Sequence, residues 1–183
     1  LPPAGIVGVI GANGTGKTTL ISDILKNENP AIHIDPDTKY ACLSQLQGEN
    51  MDEDKTVYEV MLDLGFGNEE KMAAYLDKYC LESDIITQKI GQLSGGEQNM
   101  LQIALIANTD AEFLILDEPT NYLDHNHIVW LQRYLQEYEN AFILVSHDVE
   151  FLNSVVNVIY NLDGGNLTRY TGDYENFRRM YEI

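Results

Sequence analysis

The sequence predicts an α/β fold built on a mostly parallel central sheet, with a small helical subdomain inserted into it. Three observations carry that expectation. Short, fully apolar runs recur at residues 5–10 (GIVGVI), 113–116 (FLIL) and 142–145 (FILV), each followed by polar residues, the pattern of strands buried on both faces. Helical patterns alternate with these runs, as parallel strands require. Across about residues 49–92 the pattern turns helical throughout, with polar punctuation and no apolar strand. The 183 residues suffice for one domain with a sizeable core and are too few for two ordinary ones. The whole of 1–183 is therefore read as one domain carrying an insert.

Taken in order, the run at 5–10 is a buried strand, and residues 18–26 follow as a helix with Leu20, Ile21, Ile24 and Leu25 on one side. AIHI and YACL flank Asp35-Pro36-Asp37-Thr38, a turn signal that predicts a hairpin. The acidic cluster Glu49, Asp52, Glu53 and Asp54 reads as a solvated lead-in to two amphipathic helices, TVYEVMLDL and NEEKMAAYLDKY. The tail VIYNLD-GG-NLTRY reads as a hairpin turning on Gly164-Gly165.

Eleven Lys and Arg against 29 Asp and Glu give a net charge of −18. Such a surface repels polyanions, so any phosphate must be held by a local device. No run approaches the roughly 18 apolar residues that span a bilayer. The opening LPPAGIVGVI has no basic n-region and no initiator Met, so the expectation is an excised cytoplasmic domain without membrane insertion. Cys42 and Cys80 show no ligand-like spacing and read as free thiols.

The local device is GANGTGKT, residues 11–18, a full match to G-x-x-x-x-G-K-[ST] placed after an apolar strand and before a helix. This motif makes the expected fold a P-loop NTPase. Gly11, Gly14 and Gly16 let backbone N–H groups turn toward phosphate oxygens without Cβ clashes. The helix N-terminus adds partial positive charge, Lys17 reaches the β/γ-phosphates, and the Thr18 hydroxyl can ligate Mg²⁺. The expected nucleotide contacts are Gly11, Asn13, Gly14, Thr15, Gly16, Lys17, Thr18 and Thr19. FLILDEP supplies a partner: Asp117, at the polar end of a strand, for the Mg²⁺ shell, then Glu118 as candidate general base. Taken alone, these acids before Pro119 equally describe a helix start.

LSGGEQ, residues 93–98, offers a second glycine-bearing helix end. Ser94 and Glu97 form a capping-box signature for a helix over 95–108, whose body MLQIALIA is apolar nearly all round and therefore buried. Ser94, Gly95 and Gly96 either cap a core helix or form half an anion site that lacks a lysine.

With the P-loop before it and ILDEPTNYLD after it, LSGGEQ resembles the ATP-binding cassette (ABC) ATPase family over nearly the whole chain. The resemblance implies ATP hydrolysis with Mg²⁺, and a signature segment (Ser94, Gly95, Gly96, Glu97) that grips the γ-phosphate of ATP bound to another cassette. Two cassettes then close head-to-tail around two nucleotides. By the same resemblance, Gln45 is the Q-loop residue near Mg²⁺ and the attacking water, Asp124 lies in the D-loop between cassettes, and His147 is the switch histidine. Ser146-His147-Asp148 is no hydrolase triad, since sequence neighbours cannot converge as one. Asp124-His125-Asn126-His127 reads as a polar helix start rather than a metal cluster.

Three details resemble the ABC-F subfamily of soluble twin-cassette proteins that act on ribosomes: DEPTNYLD, close to the usual DEPTNHLD; a tail with Tyr170, Gly172 and Tyr174; and a short helical insert between Gln45 and Ser94. The tyrosines also suit plain aromatic packing on the sheet. Ala12 stands where the family often has proline, and Met100 where a basic residue is common. The family's antiparallel N-terminal strands and adenine-stacking aromatic are expected to be missing, and ribosome contact is expected mostly from regions outside this chain. The alternative reading is the ATPase subunit of a membrane transporter, and the non-enzymatic one a weak nucleotide-binding module.

Overall fold

The computed structural model describes residues 6–12, 14–26, 29–43, 51–172 and 174–181. The first apolar run forms β1 (Ile6–Ile10), and the GANGTGKT segment leads into α1 (Lys17–Lys26). β2 (Tyr40–Leu43) follows, then α2 (Val57–Asp63) and α3 (Glu69–Asp77). Both insert helices start on side-chain caps: Thr56 forms a capping box with Glu59, and Asn68 accepts from the Lys71 N–H. Two 3-10 turns, Ser83–Thr87 and Ile90–Gln92, close the insert, and an isolated bridge between Thr56 and Lys89 ties its two ends together. The remaining elements are α4 (Gly95–Ala107), β3 (Phe113–Asp117), α5 (His125–Glu137), β4 (Ala141–Val145), α6 (Val149–Val155), β5 (Val158–Asp163), β6 (Asn166–Thr171) and α7 (Tyr174–Tyr181).

One six-stranded sheet holds the strands in the order β2-β3-β4-β1-β5-β6, parallel throughout except for the final β5–β6 pair. Alternate residues of each strand serve opposite layers. Leu114, Leu116, Phe142 and Leu144 join the larger core with α4, α5, α6 and the insert, whereas Ile115, Ile143 and Val145 join Val7, Val9, Ile21 and Ile24 of the α1 layer. A sheet covered on both faces cannot alternate apolar with polar, which is why these runs read as unbroken hydrophobics.

Two expectations of hairpins fare differently. Gly164 and Gly165, at φ 53° and 79°, turn β5 into β6 as the paired glycines demand. AIHI and YACL do not pair: residues 31–34 form no strand, and Tyr40–Leu43 run parallel to Phe113–Leu116 instead. The local turn signal is real, with Asp35 O accepting from the Thr38 N–H at 2.9 Å, but the apolar edge of β3 captures β2.

A row of rings joins the insert to the sheet. Phe66, Tyr75, Tyr79, Trp130, Tyr134, Tyr138 and Phe142 follow one another with centroids 4.8–6.1 Å apart. Tyr75 also donates to Ala104 O on α4 at 2.6 Å. The tail tyrosines pack as well, Tyr170 and Tyr174 lying 4.7 and 5.6 Å from Phe177.

Candidate functional site

The strand order decides what meets what. β3, β4 and β1 are consecutive neighbours with the same direction, so the residues that leave their C-terminal ends share one edge of the sheet. Those residues are Asp117 at the end of β3 with Glu118 after it, His147 after β4, and the glycine-rich loop after β1. Crevices beyond the carboxyl ends of parallel strands are where such folds bind ligands.

The loop itself needs its glycines for two different reasons. Gly14 and Gly16 sit at φ 81° and 98°, which side chains disfavour. Gly11 is needed for space, since a Cβ there would lie 2.6 Å from both Leu162 O and Thr15 Oγ1. Thr15 Oγ1 donates to Ala12 O at 2.9 Å, and Lys17 Nζ donates to Gly11 O at 2.7 Å and Ala12 O at 3.1 Å, holding the ammonium over the loop. Thr18 and Thr19 are exposed. An open cleft of about 410 Å³ is lined by Gly14, Gly16, Lys17, Thr18, Thr19, Asp117 and Glu118.

Asp117 is only 6% exposed. Burial, and then the neighbouring Glu118 charge, raise its carboxyl above the ordinary range, with Lys17 partly opposing them. Burial and the Asp117 charge also push the nearby Cys42 thiol up to about 12, so it stays a neutral thiol. Glu118 adopts φ 50°, a left-handed conformation for a residue that is not glycine. Its Oε2 accepts from the His147 backbone N–H at 3.2 Å and lies 2.8 Å from His147 Nδ1. A carboxylate only accepts, so Nδ1 carries the proton and the ring is fixed against the acid. Residues 118–121 form turns, not a helix after Pro119.

The Ser94 end is built as the capping box predicts. Ser94 Oγ accepts from the Glu97 N–H at 3.2 Å, and Glu97 Oε2 accepts from the Ser94 N–H at 2.7 Å. Met100 is fully buried, so the position that is basic in the family is core here. Gly95 and Gly96 face the loop after Glu118: a Cβ on Gly96 would lie 2.8 Å from Tyr122 O, and one on Gly95 3.1 Å from the Tyr122 ring. Among the described residues, none of 94–97 lines the phosphate-loop cleft. Glu97 lines a separate one with Asp124, Glu82, Asp84 and His127.

Asp124 caps α5, accepting from the His127 N–H at 2.9 Å, which holds its carboxyl below the ordinary range. The polar helix start is thus what these residues build. Gln45 and Asn13 lie outside the described residues. Sequence reasoning missed the bonds of Asn99, whose Nδ2 donates to Pro119 O at 2.8 Å and Asn121 O at 3.1 Å, and the conformation of Tyr122, which was read only as a departure within DEPTNYLD and stands 78% exposed at φ 65°. No residue pattern signals either, because both depend on the path of the loop.

The phosphate loop, the buried acid beside it and the Ser94 helix end define an ABC-type ATPase domain, and the ABC transporter family model (ABC_tran) matches residues 1–121. The chain belongs to that family. It is 34% identical over 224 residues to the uncharacterized ABC transporter ATP-binding protein YfmM of Bacillus subtilis, covering 97% of this chain and 43% of that protein. ABC transporter F family member 2 of Arabidopsis thaliana is 34% identical over 176 residues, covering 93% and 26%. The energy-dependent translational throttle protein EttA of Haemophilus influenzae is 32% identical over 191 residues, covering 98% and 34%. The chain thus spans less than half the length of these relatives. A crystal structure of archaeal ribosomal stalk protein aP1 with the archaeal ribosome recycling factor aABCE1 matches with a TM-score of 0.76 and 26% identity, over 98% of this chain and 37% of that one. Among the described residues, no helix is long and apolar enough to cross a membrane.

Proposed function

We propose that this chain is one cassette of a cytoplasmic ABC-F-type translation factor or ribosome-protection protein, with residues 49–92 as its helical subdomain. It holds ATP on the loop 11–19 and offers residues 94–97 to ATP held by a second cassette. The observation that carries the reading is the separation of the two glycine-bearing helix ends: among the described residues, none of 94–97 lines the cleft that holds Lys17 and Glu118. Each owns half of what a reaction centre needs.

In this reading Lys17 and the loop N–H groups hold the β/γ-phosphates. Glu118, fixed by His147, orients and deprotonates the attacking water. Asp124 faces the neighbouring cassette across the D-loop, and His147 reaches toward the terminal phosphate. The donor set fits Mg²⁺: an exposed Thr18 hydroxyl and the Asp117 carboxylate are hard oxygen ligands, and Mg²⁺ takes one or two such groups plus phosphates and water. Gln45 is proposed as a further ligand. Bound Mg²⁺ supplies charge neutralisation at the β/γ-phosphate oxygens. A role in translation is supported by relatives named as a translational throttle and an F family member, with ribosome contact made largely outside this chain.

The test is Glu118→Gln in the full-length protein. Turnover is expected to fall about 10²–10⁴-fold, the range for losing a general base, and the variant should accumulate on ribosomes with ATP. Unchanged turnover would remove Glu118 from the chemistry. Trapping on a membrane permease instead of ribosomes would favour a transporter subunit.

A further inference from the structure

Resting on the two-cassette reading, we propose that Asn99 is a positioning residue for Glu118. Acting from the Ser94 helix, it latches the loop 119–122 and so ties the half-site offered to the neighbour to the half-site this chain keeps.

Asn99 lies one turn beyond Gly95 on α4 and faces the same way, as positions four apart on a helix do. Gly95 and Gly96 let the loop come close, the Tyr122 ring and carbonyl filling the space their side chains would take. Asn99 then supplies the polar half of the contact, its one Nδ2 donating to Pro119 O and Asn121 O at 2.8 and 3.1 Å. The loop between them is strained. Glu118 and Tyr122 stand at φ 50° and 65°, an arrangement that persists only where surroundings over-determine it. Its internal bonds, Asn121 N to Glu118 O at 3.1 Å and Leu123 N to Thr120 O at 3.2 Å, run along the loop and anchor it to nothing else. Glu118 is tied to β4 by its N–H to Val145 O at 2.8 Å and to His147 by its carboxylate; among the described residues, Asn99 is the side chain whose hydrogen bonds tie residues 119–121 to another element. A shift of α4 when a phosphate is gripped at Ser94 therefore passes through the amide into the backbone that begins at Glu118.

The amide must be a donor, because both partners are carbonyls. Asn99→Asp keeps the shape and replaces two donated bonds with a carboxylate facing two oxygens. In the full-length protein we expect kcat to fall at least about tenfold, the scale of two lost hydrogen bonds, with KM and nucleotide affinity within about twofold of wild type. Asn99→Gln, which keeps the donor, should recover most of that loss, and Asn99→Leu should behave like the Asp variant. An unchanged kcat in Asn99→Asp, or equal losses in the Gln and Asp variants, would overturn the proposal. If Asn99→Asp does not fold, the comparison of Gln with Leu decides by the same criterion. Glu118→Gln, run alongside, separates the two failures: if it retains full turnover the two-cassette chemistry is wrong, and if it is dead while Asn99→Asp is unaffected, only the latch is.

Discussion

The two glycine-bearing helix ends use their glycines for different physics. At the first, Gly14 and Gly16 occupy left-handed backbone that other residues avoid, and Lys17 adds the charge. At the second, no glycine has positive φ among the described residues. Gly95 and Gly96 are there because Tyr122 lies against them, and the hydroxyl and acid of Ser94 and Glu97 are spent on capping each other. The first end borders an open cleft shared with Asp117 and Glu118. The second lies against its own chain at Tyr122.

That contrast can be broken at three places. The largest effect should come from Lys17→Ala, with turnover down by about 10²–10³-fold, the scale of losing one preorganised donor at the transferring group, and ATP affinity lost with it in equilibrium dialysis. If affinity survived, the first end would not be the primary phosphate site. Gly96→Ala should do the reverse. The methyl meets the Tyr122 carbonyl at 2.8 Å and must push aside the loop that begins at Glu118, so kcat should drop while ATP binding to the first loop persists. Equal loss of binding would erase the distinction between the two ends.

The smallest effect should be on stability. Burial and Glu118 raise the Asp117 carboxyl, so the folded chain takes up that proton more readily than the unfolded chain. Ionising Asp117 therefore costs stability as pH rises from the ordinary carboxylate range through the raised value, and the full cost is present above it. Asp117→Asn should melt higher than wild type at neutral pH, and the gain should fade as pH drops to the ordinary carboxylate range. A lower melting temperature at neutral pH would mean that the carboxylate is held by more than Lys17.

Much of this was legible because it is local. A P-loop, a capping box and a paired-glycine turn each satisfy their backbone within a few residues, so composition and spacing suffice to read them. The Phe113 and Phe142 runs were legible because two-sided burial leaves no polar positions. The hairpin expected at AIHI and YACL failed for the opposite reason, since the partner of β2 comes from far along the chain. The acids Asp117 and Glu118 were readable as a pair, yet the left-handed turn at Glu118, its contact with His147 and the Asn99 bonds were not. They arise only when β3, β4 and α4 are side by side.

The ring series from Phe66 to Phe142 has one member of another colour. Trp130 is the chain's single tryptophan; it stacks on Tyr134 of its own helix at 5.2 Å and meets Tyr79 from the insert in a tilted contact at 5.0 Å. Nature has thus set an intrinsic fluorophore at the seam between the helical lobe and the sheet. Its emission should report any change in the Tyr79–Trp130 contact when nucleotide is added.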